Sequence, residues 1–203
     1  SKIAVEILML DSVLNEKNIR ERVTVVGDPE VVKRAFSEPG VVVSAHIGNW
    51  ELAGIAYTLL SGIPLLSVMR QMANPKLQQL FYRRLGKNAH DSCDKNGAIK
   101  SMLKALKKNQ SVAITADQHA STSEGVVTTF FGHPASTHMS PALLHLKTGK
   151  PIFLVVLRRT PEPLRYELRI PGMVEVTPSG DKDADLKKTA QLYTDLTEKV
   201  IRE

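Results

Sequence analysis

The chain is 203 residues long, with 42% apolar and 5% aromatic residues, and its 27 Lys and Arg against 21 Asp and Glu give a net charge of +6. This length and apolar content suffice for one sizeable core, and the single cysteine, Cys93, excludes an intramolecular disulfide. The positive charge predicts an anionic partner, but the low aromatic content and the lack of a recognisable nucleic-acid motif argue against nucleic acid.

Helical and extended segments alternate along the chain, a pattern typical of an α/β fold. An amphipathic helix is predicted over residues 2–15 and a short strand over 23–26, after which Asp28 and Pro29 cap and begin a helix that runs to residue 36. Further strands are predicted at 41–45, 65–68, 112–116, 152–157 and 166–170, further helices at 50–60, 75–85, 98–107, 141–147 and 184–202, and an extended segment near 88–93. We predict one domain over residues 1–203, built on a single mixed, mainly parallel sheet with helices on both faces.

His46 and Glu51 lie where a short β-branched run ends and an amphipathic helix begins. An imidazole can take a proton from a hydroxyl near neutral pH, and a carboxylate can hold that imidazole in one tautomer and stabilise its charged form. Positions five apart on a straight helix are about 140° out of alignment, so His46 is predicted in the strand-to-helix turn, with Glu51 in the first helical turn reaching back towards it. The helix N-terminus favours the Glu51 anion and disfavours a charged imidazole, which keeps His46 able to act as a base.

The same spacing recurs at His119 and Glu124, in a Ser- and Thr-rich stretch with no apolar helix behind it. A spacing match alone is weak evidence, because composition produces such matches by chance. The strand-to-helix setting therefore favours the His46 pair as the catalytic one. A histidine that caps the sheet and only fills the core is the alternative for His46.

Five sequence blocks, in order along residues 23–171, resemble those of one enzyme family. The block His46-Ile-Gly-Asn-Trp-Glu-Leu is similar to the His-x-Gly-Asn-x-Glu motif of the bacterial lipid A biosynthesis acyltransferases, the lauroyl and myristoyl transferases of the wider lysophospholipid acyltransferase superfamily. The other blocks that resemble this family are Val68-Met-Arg70 with Asn74-Pro75, Arg83-Arg84-Leu-Gly86, Ala116-Asp-Gln118, and Gly125-Val-Val-Thr-Thr-Phe-Phe-Gly132 with Pro134, Ala135 and Thr137. Gln71 and Ser140-Pro141 differ from common family choices and leave the subgroup open.

The resemblance implies an acyltransferase that moves a fatty acyl group from a thioester to a lipid hydroxyl without a cofactor. The implied donor is acyl carrier protein or acyl-CoA. The implied acceptor is a phosphorylated glycolipid, a lipid A precursor, at the anionic membrane surface on the cytoplasmic face of the bacterial inner membrane. A phosphatidylinositol mannoside or another glycolipid is the alternative acceptor.

Members of this family usually begin with a transmembrane helix and end with a Trp-rich segment, and neither is visible in this sequence. The longest apolar stretch, residues 52–60, is far shorter than the roughly 20 residues that a spanning helix needs, and no signal-peptide pattern is present. We therefore expect this chain alone to be a soluble catalytic core.

Ligands bind beyond the carboxyl ends of parallel strands, so the motif residues that follow the strands at 41–45, 65–68 and 112–116 are predicted to share one edge of the sheet. There we expect His46 to act as a general base oriented by Glu51. Backbone N–H groups near Gly48 and Asn49 are candidate donors to the oxyanion of the tetrahedral intermediate.

Arg70 is the candidate for holding a phosphate or carboxylate near that centre, because guanidinium binds such groups bidentately, and an ordinary surface ion pair is its alternative. Arg83 and Arg84 face different directions on a helix, so only one of them can serve the site, and we assign Arg84 as the further candidate. Asp117, with Gln118 beside it, is the candidate for binding a sugar or acceptor hydroxyl, against the alternative of a turn-forming acid. Phe131 and Gly132, together with Phe130, are predicted to shape a wall of the apolar acyl groove, although a plain core role suits the two Phe residues equally.

Two other functions fit parts of the sequence. A zinc-dependent hydrolase would use ligand types that cluster around Asp117 and His119, including His133 and His138. Their spacing is irregular and no HExxH-type pair is present, so we predict no metal site. A non-catalytic domain that binds anionic membranes or carrier proteins through its charge is the second alternative, and we interpret Cys93 as a bystander.

Overall fold

The computed structural model describes Glu6, residues 9–69, Asn74, Gln79, residues 90–94 and residues 97–203. The helices in these ranges are α1 Leu10–Val13, α2 Ile19–Arg22, α3 Pro29–Ser37, α4 Trp50–Ser61, α5 Ala98–Lys107, α6 Ser140–Thr148 and α7 Lys182–Arg202. The strands are β1 Val23–Gly27, β2 Val41–Ser44, β3 Leu65–Met69, β4 His90–Asp94, β5 Ser111–Thr115, β6 Gly125–Phe130, β7 His133–His138, β8 Ile152–Leu154, β9 Val156–Arg159, β10 Tyr166–Ile170 and β11 Met173–Val174.

A six-stranded sheet forms the centre of the described structure, with strand order β11-β8-β2-β5-β3-β4. Neighbouring strands from β8 to β4 run parallel, and only β11 at the edge is antiparallel to its neighbour. All four residues of β2 are buried, as expected of a β-branched run in a sheet that is covered on both faces. The predicted α/β class with a mixed, mainly parallel sheet is confirmed.

The segment predicted as one strand over 152–157 is divided between two sheets. The Val155 N–H still donates to the Val43 carbonyl oxygen at 2.8 Å, on the β2 side. From the next residue the chain forms β9, which pairs antiparallel with β10, and β10 pairs parallel with β1. The prediction of a single sheet is corrected accordingly, because an unbroken apolar run carries no signal of the point at which a strand changes sheets.

Strands β6 and β7 form a separate hairpin that the sequence did not predict. Its two turn residues, Phe131 and Gly132, have φ angles of 50° and 79°. Two consecutive positive φ values are typical of the tight type I′ turn that joins antiparallel strands. Helix α7 covers the β6 edge, since the Gln191 amide accepts from the Thr129 N–H and donates to the Thr129 carbonyl oxygen, each at 2.8 Å.

Helices cover both faces of the central sheet. The face that carries Val42 and Leu65 packs against α3 and α4, whose buried side chains include Ala35, Leu52 and Ile55. The opposite face packs against α5, α6 and α7 through a second cluster, whose members include Val41, Val43, Met102, Leu144, Leu154, Ala190 and Tyr193. In the described part of the chain, no helix combines the length and apolarity needed to cross a membrane.

The other element predictions agree with the structure to within a residue or two where the residues are described. The helix at 98–107 and the strand at 166–170 are confirmed at both ends. The Asp28 side chain accepts from the Glu30 and Val31 N–H groups, so the predicted cap of α3 is also confirmed. Apart from Gln79, the predicted helix 75–85 lies outside the described residues, as do several residues of the helix predicted over 2–15.

Candidate active site

His46 lies in the turn between β2 and α4, and Glu51 lies in the first turn of α4, as predicted. The turn depends on Gly48, whose φ angle is 63°. A Cβ atom on Gly48 would lie 2.0 Å from the Leu157 carbonyl oxygen, so any side chain there would collide with the β9 backbone. The same carbonyl oxygen accepts the Asn49 N–H at 3.0 Å, which holds the turn against β9.

Asn49 holds the end of the helix and is fully buried. Its side-chain oxygen accepts the Leu52 N–H at 3.1 Å and so caps α4, and its Nδ2 donates to the Glu6 carboxylate at 2.6 Å. The Asn49 N–H is also occupied, by Leu157. A substrate contact of Asn49 stays a prediction, and Gly48 is the other source of a backbone donor in this turn.

A partly buried ion pair, Glu6 with Arg159, supports the turn from below. Glu6 accepts from Arg159 through both of its oxygens, one of them from the Arg159 Nε at 3.0 Å, and it also accepts the Tyr166 hydroxyl at 2.9 Å. Arg159 Nη1 in turn donates to the Gly48 carbonyl oxygen at 3.1 Å. Burial raises the pKa of Glu6, but hydrogen bonds from Arg159, Asn49 and Tyr166 outweigh it and hold that pKa below its ordinary value of 4.5.

Asp117 holds His46 at two points. One carboxylate oxygen accepts the His46 backbone N–H at 2.9 Å, and the other accepts the ring Nδ1–H at 2.8 Å. An ionised carboxylate can only accept hydrogen bonds, so Nδ1 carries the proton and Nε2 is left with its lone pair. The two side chains are 30% and 19% exposed, so the ring can be reached from outside while its orientation is fixed. The Trp50 ring lies 4.8 Å from the His46 ring, centroid to centroid.

Glu51 lines the same cavity as His46. Burial raises the pKa of Glu51, and this effect outweighs the opposing influences of the Trp50 side chain and the His46 charge. The His46 ring, which Glu51 was predicted to orient, is bonded through Nδ1 to Asp117. An electrostatic influence between Glu51 and His46 is present, and a role of Glu51 in catalysis stays a prediction.

Three cavities meet at Gln118, the residue after Asp117. The first, about 360 Å³, lies under α4 and is lined by His46 and Glu51. The second, about 330 Å³, lies on the other side of the β3 and β5 ends and is largely apolar, with Ile99, Met102, Ile114 and Leu143 among its walls. The third, about 290 Å³, lies between the β6–β7 hairpin and α7 and reaches Asp117. Because Gln118 lines all three, a ligand with several chemically distinct parts can bind around this one point.

Phe131 and Gly132, which were predicted to shape a wall of the acyl groove, lie at the tip of the β6–β7 hairpin. Phe131 donates its N–H to Glu198 on α7 at 2.8 Å, its ring packs 4.7 Å from the Phe130 ring, and the Arg202 guanidinium lies over it at 4.6 Å. Neither Phe131 nor Gly132 lines any of the three cavities that meet at Gln118. Both form the hairpin turn, and a role of either residue in the acyl groove stays a prediction. The predicted ligand-binding residues Arg70 and Arg84 lie outside the described residues.

In the competing pattern, His119 lines the third cavity and Glu124 the second. Among the described residues, no group of three His, Cys, Asp or Glu side chains is arranged to hold a metal ion. Asp117 is instead bonded to His46. No observation therefore favours the zinc-dependent hydrolase over the other interpretations.

Sequence reasoning missed two groups of polar residues at the site. The Glu6–Arg159 pair joins positions 153 residues apart, and no local pattern relates them. Ser67 and His90 form the second group: the Ser67 hydroxyl and the His90 Nε2 are 2.5 Å apart, and both residues line the cavity of His46. A histidine that begins a short edge strand was the only signal for this group.

The parallel α/β sheet thus carries, at its carboxyl edge, a histidine held by a carboxylate and several cavities, an arrangement typical of an enzyme active site. The sequence comparison names the family. The model of the bacterial lipid A biosynthesis acyltransferases matches residues 1–203, and the chain belongs to this family. It is thus an acyltransferase, whose reaction requires an acyl donor and a lipid acceptor. Comparison with curated proteins found no match.

Proposed function

We propose that this acyltransferase transfers a fatty acyl group from a thioester, carried by acyl carrier protein or CoA, to a hydroxyl of a phosphorylated lipid A precursor. The family membership supports the reaction class. The observation that carries the mechanism is the double hydrogen bond from His46 to Asp117, because it leaves a single basic nitrogen on a fixed ring that lines the first cavity.

In this mechanism, His46 Nε2 takes the proton of the acceptor hydroxyl as its oxygen forms a bond to the thioester carbonyl carbon. The resulting tetrahedral intermediate collapses with cleavage of the carbon–sulfur bond, and the imidazolium returns the proton to the leaving thiolate. Asp117 holds the ring in place and stabilises the imidazolium between these two steps. No residue needs to carry the acyl group covalently.

Charge develops on the carbonyl oxygen in the intermediate. With the Asn49 N–H already bonded to Leu157, the Gly48 N–H is our candidate donor, worth about 3 kcal/mol if well aimed. Glu51 adds a carboxyl group in the same cavity and supports the imidazolium through its charge when ionised. The two carboxyl groups thus have different roles. Asp117 positions the His46 ring through hydrogen bonds, and Glu51 stabilises the imidazolium electrostatically across the cavity.

The cavities suit different parts of the substrates. The second cavity has apolar walls at Ile99, Met102 and Leu143, which fit a lauroyl or myristoyl chain. Binding there removes hydrocarbon surface from water, whereas contact with unpaired polar groups would be unfavourable. We assign Arg70 and Arg84 to phosphates of the acceptor and the net charge of +6 to an acidic carrier and an anionic membrane surface. The cytoplasmic face of the bacterial inner membrane is where these partners would meet.

The test is an acyl-transfer assay with the full-length protein, acyl carrier thioesters and a tetra-acylated lipid A precursor, with products weighed by mass spectrometry. His46→Ala should lower turnover by roughly 10² to 10⁴ fold, the usual worth of a general base. His133→Ala, which changes an exposed histidine on the hairpin, is the matched control and should keep wild-type turnover. Wild-type turnover in His46→Ala would exclude the mechanism, and transfer only to a phosphatidylinositol mannoside would replace the acceptor.

A further inference from the structure

The third cavity has a wall of side-chain hydroxyl groups. It lies between the β6–β7 hairpin and α7, beyond Asp117 when seen from His46. The polar side chains that line it include Asp117, His119, Ser136, Thr137, Thr194 and Thr197. Thr194 and Thr197 line it from α7 and are only 5% and 6% exposed.

Three of these hydroxyls, those of Ser136, Thr194 and Thr197, have already used their proton. Thr194 donates to the Ala190 carbonyl oxygen and Thr197 to the Tyr193 carbonyl oxygen, each at 2.8 Å along α7. Ser136 donates to the Ala120 carbonyl oxygen at 2.9 Å. A hydroxyl has one proton and two lone pairs, so each of the three can still accept a hydrogen bond but has none left to give.

This hydrogen-bonding state selects the ligand. The three hydroxyls and the Asp117 carboxylate present acceptors to the cavity, Gln118 and His119 can add N–H donors, and among the described residues no Lys or Arg lines it. A phosphate or carboxylate would place its own acceptors against these lone pairs with no cation to compensate. A neutral ligand with several O–H donors would satisfy them, and a volume of about 290 Å³ is at the small end of ligand cavities.

We propose that this cavity is a subsite for a neutral sugar ring of the acceptor, held by the hydroxyl oxygens of Thr194, Thr197 and Ser136. The inference rests on the proposed function, in which the acceptor hydroxyl gives its proton to His46. A sugar in this cavity lies next to Asp117, so a neighbouring hydroxyl of the same acceptor can reach the histidine that Asp117 holds. The phosphates of the acceptor bind outside this cavity.

The variants that test the subsite remove one hydroxyl and keep the side-chain shape. Thr197→Val and Thr194→Val each remove an acceptor from the wall. Thr189→Val is the matched control, because Thr189 is also buried on α7 and makes the same kind of bond, to the Asp185 carbonyl oxygen at 2.7 Å, but does not line the cavity. Ser136→Ala probes the hairpin side independently of α7. Circular dichroism and thermal melts establish that each variant folds before it is used.

The kinetic measurement separates the acceptor from the donor. Each of the three subsite variants should raise the KM for the lipid A precursor roughly three- to tenfold, the worth of one hydrogen bond, with the KM for the acyl thioester unchanged. Thr189→Val should change neither constant. An effect on the thioester KM, or an equal effect in Thr189→Val, would overturn the assignment.

The binding measurement does not need the reaction. Saturation-transfer NMR with N,N′-diacetylchitobiose, a neutral disaccharide, should give a signal with the wild-type protein that weakens in Thr194→Val and Thr197→Val and persists in Thr189→Val. Inorganic phosphate should not displace the disaccharide. No disaccharide signal, a signal that the variants do not alter, or displacement by phosphate would refute the subsite. If the wild-type protein transfers no acyl group to the lipid, the proposed function fails, but this binding result still decides the inference.

Discussion

The carbonyl oxygen of Leu157 occupies the space that a side chain on Gly48 would need, with only 2.0 Å between that oxygen and an ideal Cβ position. The same oxygen accepts the Asn49 N–H. A single β9 carbonyl group thus both requires glycine at position 48 and holds the turn that carries His46. Because Gly48 also has a φ angle of 63°, the position excludes other residues on two independent grounds.

Gly48→Ala should therefore damage both stability and activity. The added methyl group must push the turn away from β9, which we expect to lower the free energy of unfolding by about 2–4 kcal/mol. A shift of about 1 Å in His46 should lower turnover about 10²-fold. Urea unfolding and the acyl-transfer assay measure the two effects.

Gly62→Ala is the matched control for that variant. Gly62 ends α4 with a φ angle of 71°, but a Cβ atom there would meet nothing within 4 Å. This variant should lose about 1 kcal/mol from backbone strain alone and keep wild-type turnover. Equal losses of activity in the two glycine variants would mean that the contact with Leu157 is unimportant.

The strand-to-helix position of His46 could be predicted from sequence because local signals define it: a buried β-branched run, a glycine and an apolar helix. The carboxylate that holds the ring could not. Asp117 lies 71 residues away and reaches His46 only because β5 pairs with β2 in register, with Ser44 beside Thr115. Sequence spacing indicates only partners within one segment, so it predicted Glu51 as the partner of His46. Asp117 was assigned to binding a sugar or acceptor hydroxyl instead.

Asp117→Asn should reduce turnover more than Glu51→Gln does. An amide at position 117 can keep its size but presents an N–H group where the His46 ring needs an acceptor, so the wrong tautomer is favoured and turnover should fall by roughly 10² to 10⁴ fold. Glu51→Gln removes only a charge in the cavity, and we expect about a tenfold loss, equivalent to about 1.4 kcal/mol.

Steady-state kinetics of the two variants give the comparison, with Asp91→Asn on the exposed side of β4 as the control. A larger loss in Glu51→Gln would return the orienting role to Glu51, as the sequence alone predicted. Wild-type turnover in Asp117→Asn would show that its double bond to His46 has no part in catalysis.

The Glu6–Arg159 pair should be coupled to catalysis although neither residue lines the cavity of His46. Arg159 bonds to the Gly48 carbonyl oxygen and Glu6 bonds to the Asn49 side chain, so the pair fixes the turn at two successive residues. Glu6→Gln and Arg159→Gln should each lower kcat while leaving the KM values nearly unchanged, because positioning rather than binding is lost.

A double-mutant cycle tests this coupling. If the two residues act as one unit, the double variant should lose little more than either single variant, with a coupling energy between about 0.5 and 3 kcal/mol in the free energy of unfolding. The exposed pair Lys33 and Glu30, 3.9 Å apart on α3, is the control and should show almost no coupling. Additive losses at Glu6 and Arg159 would contradict the proposed support of the turn.

Two features of the fold illustrate where sequence patterns fail. Val155 lies inside an apolar run that looks like one strand, and only the three-dimensional pairing reveals that the chain leaves β2 there and joins β10. The β6–β7 hairpin was recognised as a motif but not as strands. Its turn is formed by Phe131 and Gly132, and a bulky residue at positive φ is not the usual signal for a type I′ turn. Contacts with Glu198 and Arg202 stabilise that turn from a distant helix.

His90 should make the stability of the protein depend on pH. It is 3% exposed, its Nε2 lies 2.5 Å from the Ser67 hydroxyl, and burial lowers its pKa from an ordinary value of 6.5 to about 4. Between these two values the unfolded chain binds the proton and the folded protein does not, so the free energy of unfolding falls as the pH falls from about 6.5 to about 4. The full effect of this group is about 3 kcal/mol.

His90→Gln keeps an amide near Ser67 but cannot titrate, so its stability should change less over the same range. Urea unfolding of wild type, His90→Gln and the exposed control His133→Gln at pH 7, 5.5 and 4.5 measures the difference, in which the titration of all other groups cancels. Parallel pH profiles for wild type and His90→Gln would show that His90 takes up its proton without cost in the folded protein.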